Sequence, residues 1–254
     1  PPLPAPAAAA PAAAAQRARS SAAPVENASE VFGEAPASFA TLGLPAALAA
    51  HAHDALRLAR PTLVQARAWP LLARGCDVLV QAPTGSGKTL AYVLPALARF
   101  GERASGRVER EEGTQALFLA PTRELALQIV QVTQAACKPY FWLVVGSICG
   151  GEKRSSEKAR LRKGVPLLVA TPGRLLDHLR HTEAFHTERL SLLVLDEADR
   201  LLDLGMEKDI AAILELLNER ADGQRQTALF SATLRPGIDR LAQLSLQDPH
   251  TVAL

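Results

Sequence analysis

The chain has 254 residues, 48% of them hydrophobic and 21% charged, with a formal net charge of +2 at pH 7. Such a chain builds one or two ordinary soluble domains, and its small net charge excludes a generally polycationic nucleic-acid binder, leaving any such role to local patches. Its longest apolar run, Tyr140 to Val145, is six residues and spans no membrane. Three cysteines, Cys76, Cys137 and Cys149, lack metal-ligand spacing and point to a reducing, intracellular compartment.

Taken in order, residues 1–36 stand apart. Fourteen are Ala and seven are Pro, without a hydrophobic period. Such a stretch buries too little apolar area to offset chain entropy, so a disordered low-complexity tail is expected. The first residue is Pro, not Met, so further sequence is expected ahead of it. Arg17 and Arg19 beside Ser20 and Ser21 have the flavour of a transit peptide, but Glu26, Glu30 and Glu34 follow closely, which favours a linker.

From Ser38 the pattern is globular. Strand-length apolar runs recur at Val78–Val80, Ala116–Ala120, Leu143–Val145, Leu167–Ala170, Leu192–Leu195, Ala228–Phe230 and Thr251–Leu254. Helical patterns lie between them at Leu90–Leu97, Arg123–Ala136, Glu152–Arg162, Lys208–Leu217 and Pro236–Leu244. Near-continuous apolar strands alternating with helices predict one α/β domain over 37–254, a mostly parallel sheet covered on both faces. The charged stretch Gly101–Gly113 reads as a solvated surface loop.

The run Gln81-Ala-Pro-Thr-Gly-Ser-Gly-Lys-Thr89 follows a strand and opens a helix, the setting a phosphate-binding loop needs. Gly85 and Gly87 let the turn close so that successive N–H groups converge on one anion, and the helix adds its positive end. Lys88 would reach the β- and γ-phosphates and Thr89 would offer its hydroxyl to Mg²⁺, while Thr84 and Ser86 complete the loop. The first position, usually Gly, is Ala82 here.

Other strand ends carry related chemistry. Leu192–Leu195 runs into Asp196-Glu-Ala-Asp199, an acidic pair placed to hold Mg²⁺ through Asp196 and to activate water through Glu197. Ala228–Phe230 runs into Ser231-Ala232-Thr233, whose hydroxyls are expected to bond Asp199. Pro121-Thr122-Arg123 and Thr171-Pro172-Gly173-Arg174 place hydroxyls and a guanidinium at helix starts suited to phosphates, and Gly150-Gly151 permits a third close backbone approach.

In this order, from Phe39 through Pro61-Thr62-Leu-Val-Gln65 to Ser231–Thr233, the sequence resembles the first RecA-like domain of DEAD-box RNA helicases, over essentially everything after the tail. The segment Gly150–Gly164 looks like a nucleolar branch that assembles the large ribosomal subunit. The resemblance implies an ATP-dependent RNA helicase, with ATP and Mg²⁺ as cofactors and a nuclear or nucleolar location. It implies that Gln65 reads the adenine edge with Phe39 and Thr62 around that pocket, that Lys88, Asp196 and Glu197 are catalytic, and that Ser231 to Thr233 link hydrolysis to strand separation. Pro121, Thr122, Arg123, Gly150, Gly151, Thr171, Pro172, Gly173 and Arg174 match the RNA-backbone track. Arg57 and Leu58 replace a Gly-Phe pair common in the family, which removes an aromatic face from the adenine pocket. No arginine-finger motif follows Thr233, so the chain is expected to be the N-terminal half of a helicase whose second RecA-like domain lies elsewhere in the full-length protein. A nucleotide-gated RNA clamp without unwinding is the alternative.

Overall fold

A computed structural model describes residues 36–254, so residues 1–35 of the Ala/Pro-rich tail lie outside the described residues. Seven strands are placed: β1 Val78–Gln81, β2 Ala116–Leu119, β3 Val145–Ile148, β4 Leu167–Ala170, β5 Leu192–Leu195, β6 Gln226–Ser231 and β7 His250–Ala253. They form one sheet in the order β3-β4-β2-β5-β6-β1-β7, and every pairing is parallel. The helices are α1 Ala46–Asp54, α2 Leu63–Ala73, α3 Lys88–Gly101, α4 Arg123–Ala136, α5 Arg154–Arg162, α6 Pro172–His181, α7 Ala198–Asp203, α8 Glu207–Arg220 and α9 Pro236–Ser245.

The alternation of side chains along the strands splits the core in two. Val78, Val80, Ala116, Phe118 and Val194 face one way, where they meet Leu48 of α1, Val64 of α2, Leu94 of α3 and Ile129 of α4. Leu79, Leu117, Leu119, Leu193 and Leu195 face the other way, against Leu161 of α5, Leu175 of α6, Leu201 of α7, Ile213 of α8 and Ile238 of α9. Because both faces are covered, the central strands β2, β4 and β5 are apolar at every position, as parallel strands are when helices cross over both sides. At the lower edge Asp77 ties three elements together. Its Oδ1 accepts from Thr227 N and its Oδ2 from Gln247 N, each at 2.7 Å, while its carbonyl accepts from His250 N at 2.9 Å.

Three elements were not expected from the sequence: α1, α2 and α7. The first is mostly Ala and His, the second carries Pro70 in its interior, and the third spans six residues, so none shows a clear helical period. The strand read at Leu143–Val145 is displaced toward its C-terminus, to Val145–Ile148, because Leu143 closes a turn by donating its N–H to Tyr140 O.

The solvated loop expected at Gly101–Gly113 is instead partly folded. Arg103 grips Glu112 with two bonds of 2.8 Å and its hydrogen bonds hold that carboxyl down at about 2. Val108 is buried, and Arg110 donates twice to Gly164 O, at 3.0 and 2.9 Å. The charges are paired with each other and with the turn between α5 and β4, which the sequence pattern does not show. Gly164 has φ +78°, and a Cβ there would overlap the Arg110 carbonyl. Gly164→Ala should therefore destabilise the domain by more than the about 1–2 kcal/mol of the left-handed backbone alone. Urea unfolding measures this, and an unchanged midpoint would contradict the close packing.

Candidate functional site

All seven strands point the same way, so their C-terminal ends meet at one edge, where ligands gather in open α/β sheets. The loops after β1, β5 and β6, neighbours in the sheet, form one half of that edge. The loops after β2, β4 and β3 form the other half.

In the first half, β1 ends at Gln81 and Ala82 N still bonds Ser231 O at 3.0 Å before the chain turns. Gly85 and Gly87 take φ of +81° and +94°. Gly87 then caps α3 with no side-chain bond to the helix end and no acidic residue in the first turn, so the positive end of α3 is left for an anion. Lys88 is 7% exposed and its Nζ donates to Ala82 O at 2.7 Å and Pro83 O at 3.2 Å. Burial lowers its pKa while the charges of Asp196, Glu197 and Asp199 oppose that shift. Ser86 Oγ closes the turn onto Pro83 O at 2.8 Å. A cleft of ≈ 410 Å³ lies here, lined by Thr84, Gly85, Gly87, Lys88, Thr89, Asp196 and Glu197, and on its far wall by Leu125, Gln128, Ile129 and Val132 of α4. The α4 residues were not among those singled out from sequence. Their one-face spacing marks a helix, and only the packing of α4 beside α3 brings them to the cleft.

Asp196 is 6% exposed at the end of β5. Its Oδ1 accepts from Glu197 N at 2.9 Å and its Oδ2 from the Tyr92 hydroxyl of α3 at 2.8 Å. Burial pushes its pKa up to about 6, against the lowering effect of the Tyr92 bond and of Lys88. Tyr92 is a functional residue the sequence reading missed, since an aromatic on the inner face of a helix reads as core. Its ring does pack there, 5.4 Å from Phe118 and 5.1 Å from Phe230 between centroids. Glu197 has φ +50°, an uncommon backbone for a residue with a Cβ and of the kind that collects at functional sites. Its Oε2 lies 3.0 Å from Arg200 Nη1 but outside hydrogen-bonding geometry.

These residues fit a nucleotide triphosphate with Mg²⁺. The uncapped helix end and the left-handed glycines suit phosphate oxygens. Thr89 and Asp196 supply hard oxygen ligands, and two buried polar atoms, Thr62 Oγ1 and Glu197 Oε2, have no hydrogen-bond partner.

Gln65 is 4% exposed and stands beside the phosphate loop. Its Oε1 accepts from Thr62 N at 3.0 Å and its Nε2 donates to Gly87 O at 3.1 Å. One N–H and one acceptor lobe of the amide remain for a base edge. Gly87 has no room for a side chain, since a Cβ would stand 2.6 Å from Gln65 Nε2. Phe39 is buried in the same cluster as Val64 and Trp69 of α2, and Leu58 packs partly buried on that cluster.

The expected bond between Asp199 and the loop after β6 is half borne out. Asp199 Oδ2 accepts from Ala232 N and Thr233 N, each at 3.2 Å, and from Thr233 Oγ1 at 3.1 Å. The Ser231 hydroxyl turns inward instead and donates to Thr233 O at 2.7 Å, because the tight turn places that carbonyl nearer than the carboxylate.

In the other half, Thr122 caps α4 by accepting from Leu125 N at 3.3 Å, with Pro121 buried before it and Arg123 exposed after it. Thr171 precedes α6 without a side-chain cap, Pro172 opens the helix, and Gly173 is exposed. Gly150 and Gly151 take φ of +76° and +80°, and the guanidinium of Arg123 fills the space where a Gly151 side chain would stand. The Arg174 guanidinium lies in ordinary contact with Gly150, 3.6 Å from where a Cβ would stand. The structure thus brings all nine of these residues into three adjacent loops.

A parallel sheet with a phosphate loop after its β1 strand and an Asp-Glu pair after β5 defines a RecA-like P-loop nucleotide-binding domain. The chain belongs to the DEAD/DEAH box helicase family, whose profile matches residues 62–241. It is 48% identical over 218 residues to the human protein called ATP-dependent DNA helicase DDX31, covering 86% of this chain and 25% of that one. It is 46% identical over 231 residues to DEAD-box ATP-dependent RNA helicase 17 of Oryza sativa subsp. japonica, covering 87% of this chain and 39% of that one. With ATP-dependent RNA helicase dbp7 of Aspergillus niger the identity is 45% over 228 residues, 83% of this chain and 30% of that one. Among solved structures, the yeast DEAD-box splicing factor Prp28 matches with a TM-score of 0.81 at 35% identity, over 87% of this chain and 52% of that chain. The chain therefore spans well under half the length of these curated relatives.

The bond from Tyr92 to Asp196 has a measurable consequence. Ionised Asp196 is the form that would hold Mg²⁺, so affinity for Mg²⁺-nucleotide should fall as pH drops through about 6. Tyr92→Phe removes a donor that favours the ionised form, so the fall should begin at higher pH. Calorimetric titration of Mg²⁺-ADP between pH 5 and 8 measures both, and superimposable profiles would contradict the role of the hydroxyl.

Proposed function

We propose that this domain is the ATP-binding and RNA-gripping half of an ATP-dependent RNA helicase that opens short duplexes locally. The observation that carries the reading is the division of one sheet edge into a nucleotide half, after β1, β5 and β6, and a phosphate-gripping half, after β2, β4 and β3. Lys88 would exchange its bonds to Ala82 O and Pro83 O for phosphate oxygens, which offer a stronger charge-assisted contact. Thr89 and Asp196 would hold Mg²⁺, which neutralises phosphate charge when bound. Glu197, its Oε2 free of hydrogen bonds, orients and deprotonates the attacking water. Asp199 carries any movement of the acidic segment directly into Thr233. Gln65 sets ATP as the nucleotide, and its bond to Gly87 O reports an occupied base pocket to the phosphate loop.

The three loops of the other half offer backbone N–H groups, hydroxyls and two guanidinium groups, chemistry that grips phosphates without reading bases. RNA rather than DNA is the assignment we make from the family resemblance. One relative is called a DNA helicase and the others RNA helicases. Competition between RNA and DNA of one sequence in an ATPase assay decides between them, and preferential stimulation by DNA would overturn the assignment. Turnover would need a second RecA-like domain of the full-length protein, closing over both halves of the edge. The resemblance of Gly150–Gly164 to the nucleolar branch supports a role in ribosome assembly, and with it an intracellular, nucleolar location. A nucleotide-gated RNA clamp is the second reading, favoured only if turnover is absent; the intact Lys88, Asp196 and Glu197 argue for an enzyme.

The division of labour in the acidic segment is testable in the full-length protein. Glu197→Gln keeps ATP and Mg²⁺ binding but should slow single-turnover hydrolysis by about 10²–10⁴, the usual loss of a general base. Asp196→Asn should weaken Mg²⁺-ATP binding as well. Equal binding defects in the two variants would collapse the distinction.

Base selection is separable from phosphate binding. Gln65→Ala should weaken ATP binding by about 1–3 kcal/mol, the cost of leaving polar partners unmet. It should leave the affinity for inorganic triphosphate nearly as it was. Wild-type binding of GTP as tight as that of ATP would remove Gln65 from this role.

A further inference from the structure

A buried polar pair, Glu157 and His178, lies beneath the loop after β3 and the start of α6 and takes no part in the scheme above. Glu157 of α5 is 1% exposed. Its Oε2 lies 3.0 Å from His178 Nε2 and 3.3 Å from Arg174 Nε, and its Oε1 accepts from Gly150 N at 3.4 Å. His178 of α6 is fully buried, and its Nδ1 is bonded to Thr182 Oγ1 at 2.9 Å. A carboxylate accepts and does not donate, so His178 Nε2 carries the hydrogen of their shared bond. Outside this pair a second layer holds Asp177, which pairs with Arg154 at 2.9 Å and stands 4.0 Å from Arg174 Nη1.

Burying a carboxylate is costly, and an apolar side chain of the same size usually stabilises a core at least as well. What the carboxylate supplies is direction. It pairs with Arg174 through Nε while that guanidinium lies against Gly150, and it accepts from the N–H of Gly150 itself. We propose that Glu157, held in place by His178, is a positioning residue that locks the loop after β3 and the start of α6 into one phosphate-binding surface. The inference rests on the proposed RNA contacts of Gly150 and Arg174.

Simple electrostatics and positioning predict opposite signs. Removing a negative charge beside an RNA track should strengthen RNA binding through the field alone. If Glu157 positions the contacts, its neutralisation weakens binding instead. The test uses the full-length protein, a labelled single-stranded oligo(U) RNA and a non-hydrolysable ATP analogue. Glu157→Gln should raise the Kd for RNA by about tenfold, the scale of one lost charge-assisted contact. Affinity for the ATP analogue should stay unchanged, and Glu157→Gln should add little to Arg174→Ala, since both act on one contact. Unchanged or tighter RNA binding by Glu157→Gln, with binding lost in Arg174→Ala, overturns the positioning role alone. Parallel loss of RNA and nucleotide affinity also overturns it, by showing a general structural defect. If Arg123→Ala and Arg174→Ala both bind RNA as the wild type does, the phosphate track itself is wrong. Should Glu157→Gln fail to fold, His178→Gln disturbs the same carboxylate from its other side and carries the same comparison.

Discussion

The burial of a parallel sheet on both faces is the constraint on which this domain depends. With helices over both sides, the strands β2, β4 and β5 bury every residue and have no room for chemistry along their length. Polar groups emerge only where strands end, and parallel pairing sends those ends to one edge. The order β3-β4-β2-β5-β6-β1 then sorts them, with the loops proposed to hold the nucleotide on neighbouring strands of one half and those proposed to grip RNA phosphates on neighbouring strands of the other. The boundary falls between β2 and β5, which pair along their whole length. The cleft straddles this boundary through α4, which starts at Arg123 on one side and presents Gln128 and Val132 to the phosphate loop on the other.

Along that edge, buried charge is handled in two ways. Around the phosphate loop Lys88 and Asp196 are each only partly answered by protein groups. Burial shifts both toward neutrality, so a ligand that brings opposite charge is rewarded. Under the other half, Glu157 is answered by His178, Arg174 and Gly150, and within the nucleotide half Asp199 is answered by Arg200 N and by the loop after β6. The first arrangement suits binding and turnover. The second suits holding loops in fixed relation, because a satisfied buried carboxylate tolerates only one geometry of its partners.

Much of this was legible in the sequence. Residues 78–80, 116–119, 167–170, 192–195 and 228–230 carry their burial in uninterrupted apolar runs, and Gly85, Gly87 and Lys88 announce a phosphate loop by spacing alone. The helices α1, α2 and α7 did not show, because small residues, an interior proline and a short span each erase the helical period. The paired charges of Arg103 and Glu112 read as solvent-exposed in one dimension and are a folded clamp in three.

The sequence by itself determined which chemistry is available. Glycines permit left-handed turns, acidic pairs end apolar strands, and hydroxyls precede helices; these are local properties of neighbouring residues. Only the tertiary structure decided the partners. Tyr92 reads as one more core aromatic until α3 sets its hydroxyl against Asp196, 104 positions away in the chain. Gln65 meets Gly87 across 22 positions, and Glu157 meets His178 across 21. Such contacts depend on how helices cross a shared sheet, a geometry fixed by long-range packing and carried by no local pattern.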